Sequence, residues 1–166
     1  MDFLIPDAEV KLCHLNVRTE KHGSDDVTAV DLTLQWTTSN QQLAQFHPDL
    51  IESLYMAEPG QQKRVEGVPA ILPLRIFPTS LAALHWTTEA TGRRLVIRHG
   101  IKADTDLQLD DCTADKFSIN PMDGGTVTIG LRVRAICDDE RVLGKLGMML
   151  NRTLPMHLAS MPELVT

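Results

Sequence analysis

The sequence predicts a mainly β (or α+β) fold: an antiparallel, two-layer sandwich-like or curled sheet with two short helical insertions. Three observations predict it. Apolar and polar residues alternate with period two in several separate runs, as half-buried strands require. Clusters of Gly, Asp and Asn divide these runs at turn-like intervals. Helical spacing occurs only twice, too seldom for a parallel α/β sheet, which needs a helix between most strands. The 166 residues, 43% apolar and 23% charged, suit a single domain over 1–166 that buries about two thirds of its unfolded surface.

The first strand is predicted over Val10–Arg18, with Cys13, Leu15 and Val17 on one side, and Thr19–Asp26 as a polar connection. Val27–Trp36 follows, with Val30, Leu32, Leu34 and Trp36 opposite Asp31, Thr33 and Gln35. Leu43, Phe46, Leu50 and Leu54 then recur at three- and four-residue steps, so Thr38–Met56 is helical, broken near His47 because Pro48 belongs to the first turn of a second helix. Residues 58–67 read as a flexible loop. Pro69, Pro73 and Pro78 make Val68–Phe77 an edge strand.

Leu84–Glu89 and Arg94–His99 are predicted as a hairpin around Gly92. Leu107–Asp111 and Lys116–Asn120 are short strands, followed by a reversal at Asp123–Gly124. Thr126–Ile136 is the clearest strand: Val127, Ile129, Leu131, Val133 and Ala135 share one face, Arg132 and Arg134 the other. Asp138 is the predicted N-cap of a helix with Val142, Leu143, Leu146 and Leu150 as its apolar stripe. Arg152–Leu158 is the last strand, and 161–166 a tail.

No apolar run approaches the roughly 20 residues of a membrane span, and Met1–Pro6 is short and acidic for a secretory signal. A cytoplasmic setting without membrane contact is therefore expected. Cys13, Cys112 and Cys137 have no paired spacing and are expected reduced and mostly buried. The net charge of −6 falls wholly within residues 1–66, while 67–166 are neutral. Attraction of nucleic acid to the molecule as a whole is not expected, although a local basic patch could supply it.

No catalytic residue and no cofactor is expected. Asp104, Asp106, Asp110, Asp111 and Asp115 form the most acidic run, but Gln108 and Leu109 stand where a calcium loop needs a ligand and its sharp-turn glycine. A metal-dependent hydrolase on Asp104, Asp106, Asp110 and Asp111 is the weakest of three functional readings. His14, His22, His47, His85, His99 and His157 lie on separate elements without zinc spacing. Gly144-Lys145-Leu146-Gly147 lacks the glycine run of a phosphate loop.

The sharper candidate is basic. Arg93, Arg94, Arg98 and Lys102 fall in ten residues without an acid, and Arg132 and Arg134 project from one strand face about 6–7 Å apart. If their strands are neighbours, Arg94, Arg98, Arg132 and Arg134 form a binding strip for phosphates or for acidic protein surface. Aromatic platforms for single-stranded nucleic acid are mostly missing.

The chain also resembles small uncharacterised proteins of tailed bacteriophages, in Leu15-Asn16-Val17-Arg18-Thr19-Glu20-Lys21-His22-Gly23, Leu109-Asp110-Asp111-Cys112, Pro121-Met122-Asp123-Gly124-Gly125-Thr126-Val127 and Leu143-Gly144-Lys145-Leu146. The resemblance implies a setting in the cytoplasm of an infected bacterium, among early replication or recombination genes, and carries over no functional residue. The preferred expectation is a non-enzymatic accessory protein acting by protein–protein contact or self-association through a sheet face or edge. Its role would be host-directed or in DNA metabolism. A nucleic-acid-binding accessory protein is the alternative.

Overall fold

A computed structural model describes residues 1–60, 72–77, 82–100 and 105–162. Nine strands are present among them: β1 (Ile5–His22), β2 (Asp25–Ser39), β3 (Tyr55–Met56), β4 (Leu74–Arg75), β5 (Leu84–Trp86), β6 (Ala90–Ile97), β7 (Leu107–Met122), β8 (Thr126–Ile136) and β9 (Thr153–Ser160). A 3-10 turn at Asn40–Gln45 and α1 (Leu50–Leu54) follow β2, and α2 (Glu140–Met148) precedes β9. The helical break falls between Gln45 and Leu50, as Pro48 requires.

The main sheet runs β5-β7-β6-β9-β1-β2-β8, and β8 pairs again with β7. The predicted curled sheet therefore closes: β7, β6, β9, β1, β2 and β8 form a six-stranded antiparallel barrel, with β5 added beside β6 on the same edge of β7. Closure pairs the two ends of the sheet with each other, so an edge stays open where a strand runs past its neighbour. Alternation decides what fills the barrel: on β8, Val127, Ile129, Leu131, Val133 and Ala135 are all buried while their polar neighbours stay partly exposed.

An aromatic cluster packs into this core. Phe3, from the segment before β1, lies 4.8 Å from Phe117 and 5.5 Å from Phe46 between ring centroids. Gln45 clamps that segment, accepting from the Leu4 N–H at 2.8 Å and donating to the Leu4 carbonyl at 3.0 Å. Tyr55 grips the turn between β7 and β8: its hydroxyl donates to the Thr126 carbonyl and accepts from the Met122 N–H. The small β3–β4 sheet is thus tied to the barrel.

Several local expectations change. Thr19–Asp26 is not a loose connection, because both strands continue to a two-residue turn at Gly23–Ser24, where Gly23 takes φ +68°. A bulge between Leu12 and His14 shifts the phase, so Cys13 leaves the Leu15–Val17 face and approaches the Gln35 side chain. β5 and β6 do not form a hairpin; both pair with β7, and Gly92 (φ +63°) sits at a register shift inside β6. Leu107–Asp111 and Lys116–Asn120 belong to one strand, kinked where Asp111 and Lys116 adopt positive φ.

Asp139 caps α2, accepting from the Arg141 N–H, while Asp138 accepts from the Thr28 N–H of β2. The helix buries Leu146 and Met149, and Leu150 is exposed because the helix ends before it. Of the cysteines, Cys112 and Cys137 are buried and Cys13 is half-buried. Of the expected Val68–Phe77 edge strand, residues 72–77 are described and form a strand at Leu74–Arg75; residues 68–71, most of the expected 58–67 loop and most of the 161–166 tail lie outside the described residues.

The seam that closes the barrel is tight at one point. Gly130 pairs with Ser118 across β7–β8, and a Cβ on Gly130 would meet the Ser118 Oγ at 2.4 Å. Gly130→Ala forces the Ser118 hydroxyl into another rotamer and is expected to lower stability by no more than about 1 kcal/mol in chemical unfolding. Adding Ser118→Ala removes the obstructing oxygen, and the double variant is expected to recover most of the loss.

Candidate functional site

The four arginines singled out by their spacing do not form one strip. β6 pairs with β7 and β9, and β8 with β2 and β7, so the strands carrying Arg94 and Arg98 are not neighbours of the strand carrying Arg132 and Arg134. Each arginine already faces a carboxylate of its own chain. Arg94 pairs with Asp110 at 2.6 Å, and Arg98, just beyond β6, with Asp7 at 2.9 Å and Asp106 at 3.2 Å. Arg132 grips Asp115 with two hydrogen bonds of 2.8 and 2.7 Å, and Arg134 reaches the same carboxylate at 3.0 Å.

Asp115 is the buried member of this group, its side chain only 7% exposed. Burial pushes its carboxyl up, but the Arg132 hydrogen bonds and the charges of Arg132 and Arg134 outweigh that and hold it below the usual range. Asp31 on β2 behaves alike: burial opposes ionisation, and hydrogen bonds from Arg18 and Asn16 overcome it. Since Asp31 and Arg134 are cross-strand partners, a charged wall runs from Arg18 on β1 through β2 and β8 to Asp115 on β7. Arg132 and Arg134 are therefore not isolated exposed cations; they are structural partners of buried acid.

The acidic run is spent similarly. Asp106 and Asp110 serve arginines, and the Asp111 N–H donates to the Met161 sulfur. Asp104 lies outside the described residues, as does Lys102. Among the described residues no three His, Cys, Asp or Glu side chains converge as a metal site would need. Burial pushes the Cys112 thiol up to about 12 and also raises Cys137, so neither is an activated nucleophile. An open depression of about 630 Å³ near the chain start, lined by Leu4, Gln42, Gln45, Phe46 and Trp86 among others, has Asp2 as its titratable side chain, and Asp2 is paired with Arg93. It holds no acid–base pair for a reaction.

The feature that sequence reasoning missed is an unpaired strand edge. β9 pairs with β1 only as far as Lys11, so from His14 to His22 β1 has β2 on one side and no strand on the other among the described residues. The two-residue turn makes His22–Asp25 a hydrogen-bonded pair, and alternation then directs the N–H and C=O groups of Leu15, Val17, Thr19 and Lys21 away from β2. The Thr28 carbonyl, opposite Thr19, supports this parity: it points outward and accepts from the Cys137 N–H at 2.8 Å. The β2 side of the hairpin is thereby capped at Thr28 by Cys137 and Asp138, whereas the β1 side is open among the described residues. Val17, on the open side, is 51% exposed. The signal in the sequence was Gly23–Ser24, a two-residue turn type flanked by residues that keep period two.

The buried acid generates two expectations. Arg132→Ala leaves Asp115 with Arg134 as its remaining ion-pair partner and should cost about 2–4 kcal/mol in urea unfolding, whereas Arg98→Ala should leave the midpoint unchanged within error. Because the folded Asp115 titrates below its ordinary value of 3.8, its contribution to stability is complete above that value and fades as pH falls through the folded value. Asp115→Asn should therefore lower stability at pH 7 and flatten the acid limb of a stability–pH curve. No protein-family model, curated protein or solved structure matches the chain.

Proposed function

We propose that this is a non-enzymatic binding protein that works by protein–protein contact, adding a partner strand to the open edge of β1 between His14 and His22. The observation that carries the reading is that edge: outward backbone groups at Val17, Thr19 and Lys21, exposed side chains around them, and no strand covering them among the described residues. Strand addition needs no reaction centre, only unpaired donors and acceptors in register.

The same hairpin segment is part of the resemblance to small proteins of tailed bacteriophages, which supports an accessory role in an infected bacterial cytoplasm, host-directed or in DNA metabolism. The nucleic-acid reading draws less support, because Arg94, Arg98, Arg132 and Arg134 are already engaged by carboxylates and a phosphate would have to displace them. A hydrolase reading has no convergent acids behind it among the described residues. No helix there is long and apolar enough to cross a membrane.

A photoreactive residue at Thr19, compared with one at the exposed Thr33 of β2, which has β1 on one side and β8 on the other, tests the edge in bacterial cells. Protein crosslinks at position 19, to this chain or another, and few at 33 are expected. Val17→Pro removes one outward donor without touching the β2 ladder; it should abolish those crosslinks while shifting the melting temperature by less than about 5 °C. Equal crosslinking at the two positions, or crosslinks that survive the proline, would overturn the reading.

A further inference from the structure

We infer that the strand received by this edge is the same edge of a second copy, paired antiparallel about a two-fold axis through Thr19. The inference rests on the edge-binding reading and supplies its partner.

In an antiparallel self-pair centred on one residue, neighbours at equal distance on either side of the centre meet across the axis, and paired side chains share a face. Centring on Arg18, Glu20 or Lys21 sets that charge against its own copy, which is unfavourable. Centring on Val17 sets Arg18 against Asn16 and leaves Glu20 to His14. Centring on Thr19 sets Arg18 of each copy against Glu20 of the other, twice, with a Thr–Thr pair between them. The register then brings Val17 against the aliphatic stem of the other copy's Lys21, covering an exposed apolar side chain.

Arg18 and Glu20 already lie on the same face and form an ion pair within one chain, beside Asp31. Pairing exchanges that contact for an equivalent one across the axis, so no charge is stranded. About six backbone hydrogen bonds would form, through Val17, Thr19 and Lys21 of both copies. So short a contact implies a dissociation constant on the order of tens of micromolar. The association stops at two, because the two-fold uses the open half of β1 in both copies and, on the opposite side of the hairpin, Cys137 and Asp138 occupy the Thr28 backbone, which leaves outward groups at Asp26 alone before the β8 ladder begins at Ala29.

Light scattering and sedimentation of the purified chain from about ten to several hundred micromolar test this. The wild type should pass from monomer to dimer. Arg18→Glu and Glu20→Arg, each alone, place like charges across the axis twice and should weaken association about tenfold or more. An equimolar mixture of the two variants restores both opposite-charge contacts and should dimerise as the wild type does, which a merely misfolded variant could not. Thr19→Pro, with circular dichroism as the control for folding, should abolish association without changing any charge. A wild type monomeric at several hundred micromolar overturns self-pairing, and crosslinks from position 19 to a different protein would then still uphold the edge reading. Dimers that persist in both single-charge variants, or a mixture no better than either variant, overturn the proposed register.

Discussion

β7 has to serve three other strands, and the rest of the structure follows from how it does so. Over its first half β6 lies on one side; over its second half β5 takes that side and β8 the other. A strand of 16 residues cannot satisfy such partners while staying flat. Positive φ at Asp111 and Lys116 and register shifts on both sides bend it, and the bend lets β8 return to close the barrel. Once closed, the inward faces form one core, and among the described residues open edge is left at places that include the first half of β7 opposite β6, the short β5, the small β3–β4 sheet and the outer half of β1.

Closure also explains why the arginines are spent. Strands that wrap onto one another bring outward-facing Arg132 and Arg134 between Asp31 on one side and Asp115 on the other. A carboxylate as buried as Asp115 needs a charged, hydrogen-bonded partner, and a bidentate guanidinium fits that need better than an ammonium would. The pair therefore belongs to the wall of the barrel and specifies the β7–β8 seam. Its apparent availability in the sequence reflected only that its acids lie 17 or more residues away along the chain.

The strands were legible wherever one face is buried, as in Val127–Ala135, because alternation records the burial directly. Thr19–Asp26 was not: with neither face buried, its polar residues carry the composition of a loop although the backbone is extended. The kinks in β7 and the register shift at Gly92 were hidden because they arise from pairing with strands far away in sequence. That β5 and β6 share one edge of β7 could not be told from a hairpin, since both arrangements show two apolar runs around a glycine. For the site, the outward face of Arg132 and Arg134 was correct and their freedom was not. The open edge of β1 was invisible for the converse reason: an edge is defined by which strand fails to arrive, and β9 stops at Lys11.

The hairpin beyond that point is difficult to account for by stability alone. From Thr19 to Thr28 no residue is buried, and the first core residue on the return is Ala29. Ordering each such residue costs roughly 1–2 kcal/mol of backbone entropy, offset within one chain by a ladder to a single neighbour and by exposed ion pairs that contribute little. A turn placed near Arg18 and Ala29 would connect the same barrel strands without that cost. The extension is also defended unevenly, its β2 side capped at Thr28 by the Asp138 carboxylate and the Cys137 N–H and its β1 side uncapped among the described residues. An edge that stability did not require, capped at Thr28 on one side and open from His14 to His22 on the other, has the form of a contact surface, and the opposite charges at Arg18 and Glu20 on either side of Thr19 are what a two-fold pairing of that surface would use.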